Sequence, residues 1–168
     1  MRNTLRMKLI TTEMLNDLSR RAAAGPRQRM HHNIHESLDD PIQRLFVAVR
    51  FESYFRPHRH REKWECALVV RGLFDVLVFD DAGCVTERVT IGPEAKVTAF
   101  EIPAGLWHSW VPMRDDSVFF EIKQGPFHPL GAGDFADWSP EEGSADAARF
   151  LAGMRKAKIG ECVTAQPL

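Results

Sequence analysis

The stretch His58-Arg59-His60-Arg61-Glu62-Lys63-Trp64-Glu65-Cys66-Ala67-Leu68-Val69-Val70-Arg71-Gly72 carries two kinds of information in one run. Its second half is apolar and β-branched, and it ends on a glycine, as a buried strand closed by a tight turn or bulge does. In its first half two histidines stand two apart, so in extended chain their side chains point to the same side. Pro57 precedes them and fixes the backbone at an edge or a bend. Arg61-Glu62-Lys63 is long enough to turn the chain, after which Glu65 enters on the face shared by Ala67 and Val69.

Outward from this stretch, short β-rich runs separated by turn signals extend over residues 45–124. Strands are expected near 45–51, 53–58, 64–71, 73–80, 84–91, 96–102, 106–112 and 117–124, with Asp80-Asp81-Ala82-Gly83 as a hairpin connection. Before them, residues 12–24 read as a helix capped by Thr12, striped by Met14, Leu15 and Leu18, and stopped by Gly25-Pro26. Residues 26–44 read as irregular. Behind the strands, Ser139-Pro140-Glu141-Glu142 resembles a first helical turn. A second helix is expected from Ser144 to about Lys158, with Ala148, Leu151 and Met154 packing. The expected fold is an all-β core, a single barrel of about eight strands with a helical arm at each end, in one domain over 1–168. Its parts are an N-terminal arm (1–44), a barrel (45–128) and a C-terminal helical extension (129–168).

Composition narrows the classes of function. A net charge of −1 gives no global basic excess, and the short clusters at Arg27-Gln28-Arg29 and Arg155-Lys156-Ala157-Lys158 lack interleaved aromatics. Nucleic acid is therefore not an expected partner. No apolar run has the length of a membrane span, and no apolar region follows the charged first residues, so neither a membrane nor secretion is expected. Three widely spaced cysteines, Cys66, Cys84 and Cys162, without a C-x-x-C, fit reduced thiols and a cytoplasmic setting, Cys66 as a small core residue.

A second stretch, Pro103-Ala104-Gly105-Leu106-Trp107-His108, shapes a turn that delivers another imidazole from a distant strand. If the sheet closes, His58, His60, Glu65 and His108 converge inside it. Three neutral imidazoles and one carboxylate suit a single divalent transition metal such as Fe, Mn, Ni, Zn or Cu, and leave one or two coordination positions for water or substrate.

Here the chain resembles a known family. His58-x-His60-x4-Glu65-x6-Gly72 is similar to the first cupin motif, and Pro103-x-Gly105-x2-His108 to the centre of the second. Two departures are present: the interval from Gly92 to Pro103 is long, and Pro112 stands where many cupins carry a non-ligating Asn. Beyond the barrel, Asn33-Ile34-His35, Asp40-Pro41-Ile42-Gln43-Arg44, Gly125-Pro126-Phe127 and Trp138-Ser139-Pro140-Glu141-Glu142-Gly143 resemble the WbuC-type cupin fold metalloproteins, over roughly residues 8–152. The resemblance implies a jelly-roll barrel, a metal on those four positions, a tendency to form homodimers and a setting beside surface-polysaccharide genes. It implies no particular reaction.

Other candidates surround the metal set. His35 and Asn33 stand where they could cap the barrel mouth and touch a ligand, with His31 and His32 behind them in weight. Loop hydrogen bonding is the plainer role for all four. Arg44 either meets a substrate anion or pairs with Asp39 or Asp40, the pairing being the simpler reading. Glu121 and Lys123 share one face of their strand; an inward face makes them an acid and an ammonium near the metal, and an outward face, slightly favoured, makes them solvated. Trp107 and Trp110 are read as core aromatics, and His128 as part of a surface turn.

The functional expectation is a metal-dependent enzyme acting on a small polar molecule such as a sugar derivative, of isomerase or epimerase type or of oxygenase type. The alternative is a metal-dependent binding or sensing module without turnover. No alternative catalytic set is found, since Ser109 beside His108 is not a nucleophile arrangement, and no Gly-rich loop precedes a helix to cradle a phosphate.

Overall fold

The computed structural model describes residues 7–163. In chain order these are α1 (Thr12–Ala24), β1 (Arg29–Asn33), β2 (Ile42–Val49), β3 (Glu65–Arg71), β4 (Phe74–Phe79), β5 (Val85–Ile91), β6 (Ala99–Ile102), β7 (Trp107–Pro112), β8 (Ser117–Gln124) and α2 (Ala147–Lys156). The eight strands form two antiparallel sheets, one of five strands ordered β1-β2-β8-β3-β6 and one of three ordered β5-β4-β7. Non-sequential neighbours in both sheets make this a jelly-roll sandwich. The chain crosses between sheets at Gly72, whose φ of +82° and lack of a side chain are both needed. A Cβ there would lie 2.0 Å from the Ser117 hydroxyl.

Alternation along the strands sorts their side chains into an inner and two outer sets. Val47, Val69, Phe74, Val76, Ile91, Trp110 and Phe119 fill the space between the sheets. The Trp110 and Phe119 rings stack there with centroids 4.1 Å apart. Helices cover both outer faces. On the five-stranded sheet, Leu18 and Ala22 of α1 pack on Phe46, Ala48 and Val118. On the three-stranded sheet, Phe150, Leu151 and Met154 of α2 pack on Leu77, Phe79, Val85 and Val111.

Polar contacts lock these arms. The Thr11 hydroxyl accepts from the Met14 amide and starts α1. Arg88 donates to the carbonyls of Met154, Arg155 and Ala157 at the C-terminus of α2 while pairing with buried Asp75. The chain after α2 then runs along the free edge of β5. Val85 donates to the Glu161 carbonyl, Val163 donates to that of Gly83, and a disulfide joins Cys84 to Cys162.

The structure corrects several expectations. A strand, β1, lies within residues read as irregular, whereas 53–58 makes no strand beyond an isolated bridge at His58. Thr11, not Thr12, caps α1. Residues 139–143 form no helical turn, and α2 buries Ala147 and Phe150 rather than Ala148. Cys84 and Cys162 are bonded rather than reduced, and Cys66 is half-buried on an outer face rather than in the core. No helix among the described residues is long and apolar enough to cross a membrane.

Candidate metal centre

The four expected ligands arrive on three pieces of chain. His58 and His108 are directly opposed: the His58 amide donates to the His108 carbonyl and the reverse, at 3.0 and 2.9 Å. Directly opposed residues of an antiparallel pair share a face, so both rings turn inward side by side. His60 lies two residues on, its carbonyl accepting from the Gly105 amide at 2.7 Å, which ties the Pro103–Leu106 turn to the ligand segment. Glu65 opens β3 on the face of buried Ala67 and Val69.

One donor atom from each of these residues falls within 4.8 Å of all the others. A single ion with N and O bonds of about 2.0–2.2 Å holds opposite ligands about 4.4 Å apart, so the cluster has the size of one first-row site. Hydrogen bonds orient the imidazoles. His58 Nδ1 lies 2.9 Å from the Arg56 carbonyl, and His108 Nδ1 lies 2.9 Å from that of Leu106. A carbonyl only accepts, so each Nδ1 carries the proton and each Nε2 lone pair faces the cluster.

The electrostatics call for a cation. His60 Nε2 and His108 Nε2 each lie 3.1 Å from an oxygen of Glu65. Both nitrogens and Glu65 Oε1 are buried without a hydrogen-bond partner. In neutral His108 a lone pair would face a carboxylate oxygen across that gap, which is repulsive unless a proton or metal lies between. The titrations express the same demand. Burial, helped by His108, pushes His58 down to about 3. Burial acts to raise Glu65, but His108 and His60 beside it hold the carboxyl well below its usual range. For His108, burial acts to lower the pKa and the Glu65 carboxylate overcomes it, leaving it raised. The donor set and its orphaned atoms thus fit a divalent transition metal.

The register places the remaining candidates. Glu65 opposes Lys123, Ala67 opposes Glu121, and Glu121 in turn opposes Leu45, whose other neighbour is Asn33. Lys123, Glu121 and Asn33 therefore share the inner face with Glu65, which overturns the outward preference for Glu121 and Lys123. Those two form an ion pair at 2.6 Å. Burial acts to lower the Lys123 ammonium, but Glu121 and then Glu65 keep its pKa raised. Asn33 and His31 are exposed, and both share the parity of inward Arg29 on edge strand β1.

Several other candidates lie away from the ligands. Arg44 pairs with Asp40 at 2.9 Å from the outer side of β2, the simpler of its two readings. His32 has the outward parity of Met30, which packs in the α1 cluster. Trp107 stacks under Arg59 on the outside, Trp110 lies in the core, and His128 is exposed. His35 is 7% exposed, and its Nδ1 lies between the Arg44 amide at 2.9 Å and the Arg44 carbonyl at 3.0 Å. Its Nε2 is buried without a hydrogen-bond partner. Sequence reasoning missed the inner-face neighbours Gln43, Leu45 and Phe100. The parity that groups Glu121 with Lys123 would have found the first two only with the β2–β8 register in hand.

Comparison with known proteins adds little about activity. A family model described as a domain of unknown function, DUF6016, matches residues 10–91, a span that holds His58, His60 and Glu65 but stops short of His108. No curated protein matches the chain. Among solved structures, KdgF from Halomonas sp. is 20% identical, with 60% of this chain and 82% of that one covered and a TM-score of 0.47. A cupin-2 domain containing protein from Shewanella frigidimarina is also 20% identical, covering 56% and 79%, with a TM-score of 0.43. A recombinant oxalate oxidase in complex with glycolate is 16% identical, covering 62% and 56%, with a TM-score of 0.49. At these identities and scores, none of the three carries an activity to this chain.

Proposed function

We propose that this chain is a cupin-type, metal-dependent enzyme acting on a small polar molecule, with the metal on His58, His60, Glu65 and His108. The observation that carries this reading is the convergence of four donor atoms within 4.8 Å, several of them buried and unpartnered. Fe, Mn, Ni and Zn all suit that donor set. The sequence resemblance to WbuC-type cupins supports the same site and suggests a sugar derivative from surface-polysaccharide metabolism as the substrate. It also suggests a homodimer.

When bound, a divalent ion supplies Lewis-acid polarisation of a substrate oxygen. The protein's own groups do the rest. The Arg56 and Leu106 carbonyls hold two imidazoles in the ligating tautomer. Glu121, paired with Lys123, is the inner-face carboxylate placed to take or return a proton. Lys123 keeps that charge in place and offsets the like charge of Glu65. Asn33 offers an amide at the rim.

Elemental analysis of protein purified without added ions tests the metal, with about one equivalent expected. Replacing His60 by Ala removes most of it, and retained stoichiometry in that variant sinks the ligand assignment. Oxygen consumption separates the two reaction types. Uptake with Fe(II) that is lost with zinc marks an oxygenase, whereas turnover without oxygen marks an isomerase or epimerase. A metal-loaded protein that binds candidate sugars without changing them would instead be a binding module.

A further inference from the structure

Resting on the metal reading above, the geometry points to a polyhydroxylated carboxylic acid of about six carbons, a sugar acid, as the ligand class of this site. Charge is the first reason. Glu65 is the one anionic ligand, so a divalent ion leaves the centre with one uncompensated positive charge. The Lys123–Glu121 pair beside it adds none. With Glu65 and His108 both buried, that charge is costly without a counter-ion, and a monoanionic ligand supplies one.

The second reason is what lies beyond the ligands on the inner face. Glu121 is diagonal to Glu65 across the β3–β8 pair, a separation of about 7–8 Å that an extended chain of about six carbons spans. Glu121 Oε1 is held by Lys123 at 2.6 Å, so Oε2, which takes no hydrogen bond from the described residues, is the oxygen left to accept one from a ligand hydroxyl. Asn33, exposed at the end of the same row, offers both a donor and an acceptor. Leu45 and Phe100 also lie in this row, inward yet only partly buried, and present apolar surface to C–H groups. Ala67 between Glu121 and Phe100 keeps the row low. An acid head with alternating hydroxyls and C–H faces matches this order, whereas a two- or three-carbon acid would reach only the head of it.

Calorimetric titration of zinc-loaded protein with D-gluconate, L-lactate and D-glucose tests the assignment. Gluconate is expected to bind about tenfold or more tighter than lactate, with glucose far weaker than either. Glu121→Gln should weaken gluconate by about tenfold without weakening lactate, since it removes a charge-assisted hydrogen bond to the tail. Asn33→Ala, on an exposed edge and safe for folding, should weaken gluconate by about two- to tenfold and leave lactate unchanged. Equal affinity for gluconate and lactate overturns the tail contacts, and glucose binding as tight as gluconate overturns the acid head. Failure to take up zinc overturns the metal reading itself, which stoichiometry measured beforehand distinguishes.

Discussion

Two glycines show how much a single residue carries here. Gly72 and Gly105 have nearly the same φ, +82° and +86°, yet a Cβ at Gly105 meets nothing within 4 Å while one at Gly72 runs into Ser117. Gly105→Ala should therefore cost only the left-handed backbone penalty, about 1–2 kcal/mol. Gly72→Ala adds a clash at the sheet crossover and should cost about 2 kcal/mol more. Urea denaturation of the two variants checks the difference. His58 gives a pH prediction at the same scale. Its pKa falls from 6.5 in the unfolded chain to about 3 in the folded one, so the unfolded state binds the proton first. Metal-free protein should hold this contribution above about pH 6.5 and lose it progressively as pH falls toward 3. Glu65, also lowered, acts in the same direction. Thermal melts of stripped and loaded protein across that range test the sign, and metal release should follow the same acid limb because protons compete for the ligands.

At the scale of elements, Arg88 decides how α2 is held. It satisfies three carbonyls at the helix end and neutralises Asp75, which also accepts from Thr90. Arg88→Met strands a buried carboxylate and should destabilise the protein by about 3–5 kcal/mol. Pairing it with Asp75→Asn should recover part of that loss, a coupling that a double-mutant cycle by denaturant unfolding measures. The elements that were legible in the sequence are those whose one face is uniformly apolar. β3, β4 and β8 each carry such a face in Cys66, Leu68 and Val70, in Phe74, Val76 and Val78, and in Val118, Phe120 and Ile122, and the four candidate ligands sit in motifs with fixed spacing. β1 does not, because Arg29-Met30-His31-His32-Asn33 buries Met30 against α1 while its inward residues are polar. The aromatic run Tyr54-Phe55 looked like strand, but it supplies packing from a loop that Pro57 ends. The side on which Glu121 and Lys123 lie could not be read from parity alone, since both faces of β8 are covered: Val118 packs beneath α1, and Phe119 packs between the sheets.

For the molecule as a whole, helix, sheet, sheet and helix stack in four layers, and the last described residues are fastened back onto the second sheet. The Cys84–Cys162 bond closes 78 residues of chain, which on a chain-entropy model stabilises the fold by about 4.5 kcal/mol. Cys162→Ser, or reductant added to the native protein, should lower the melting temperature by a similar amount in each case; a melt indifferent to both would show that the backbone bonds to β5 suffice. Because α1 and α2 close the outer faces, the inner face is reached where Leu45, Phe100 and Leu106 remain partly exposed, the end of the sandwich that carries the ligands.

The hydrogen bonds that orient His58 and His108 both run to a backbone carbonyl two residues earlier. No neighbouring side chain takes part in them. Tautomer choice at these two ligands is therefore written into the path of the main chain, and exchange of the side chains at Arg56 or Leu106 leaves it intact. The geometry of the proposed centre is thereby insulated, at these two positions, from the side chains around it.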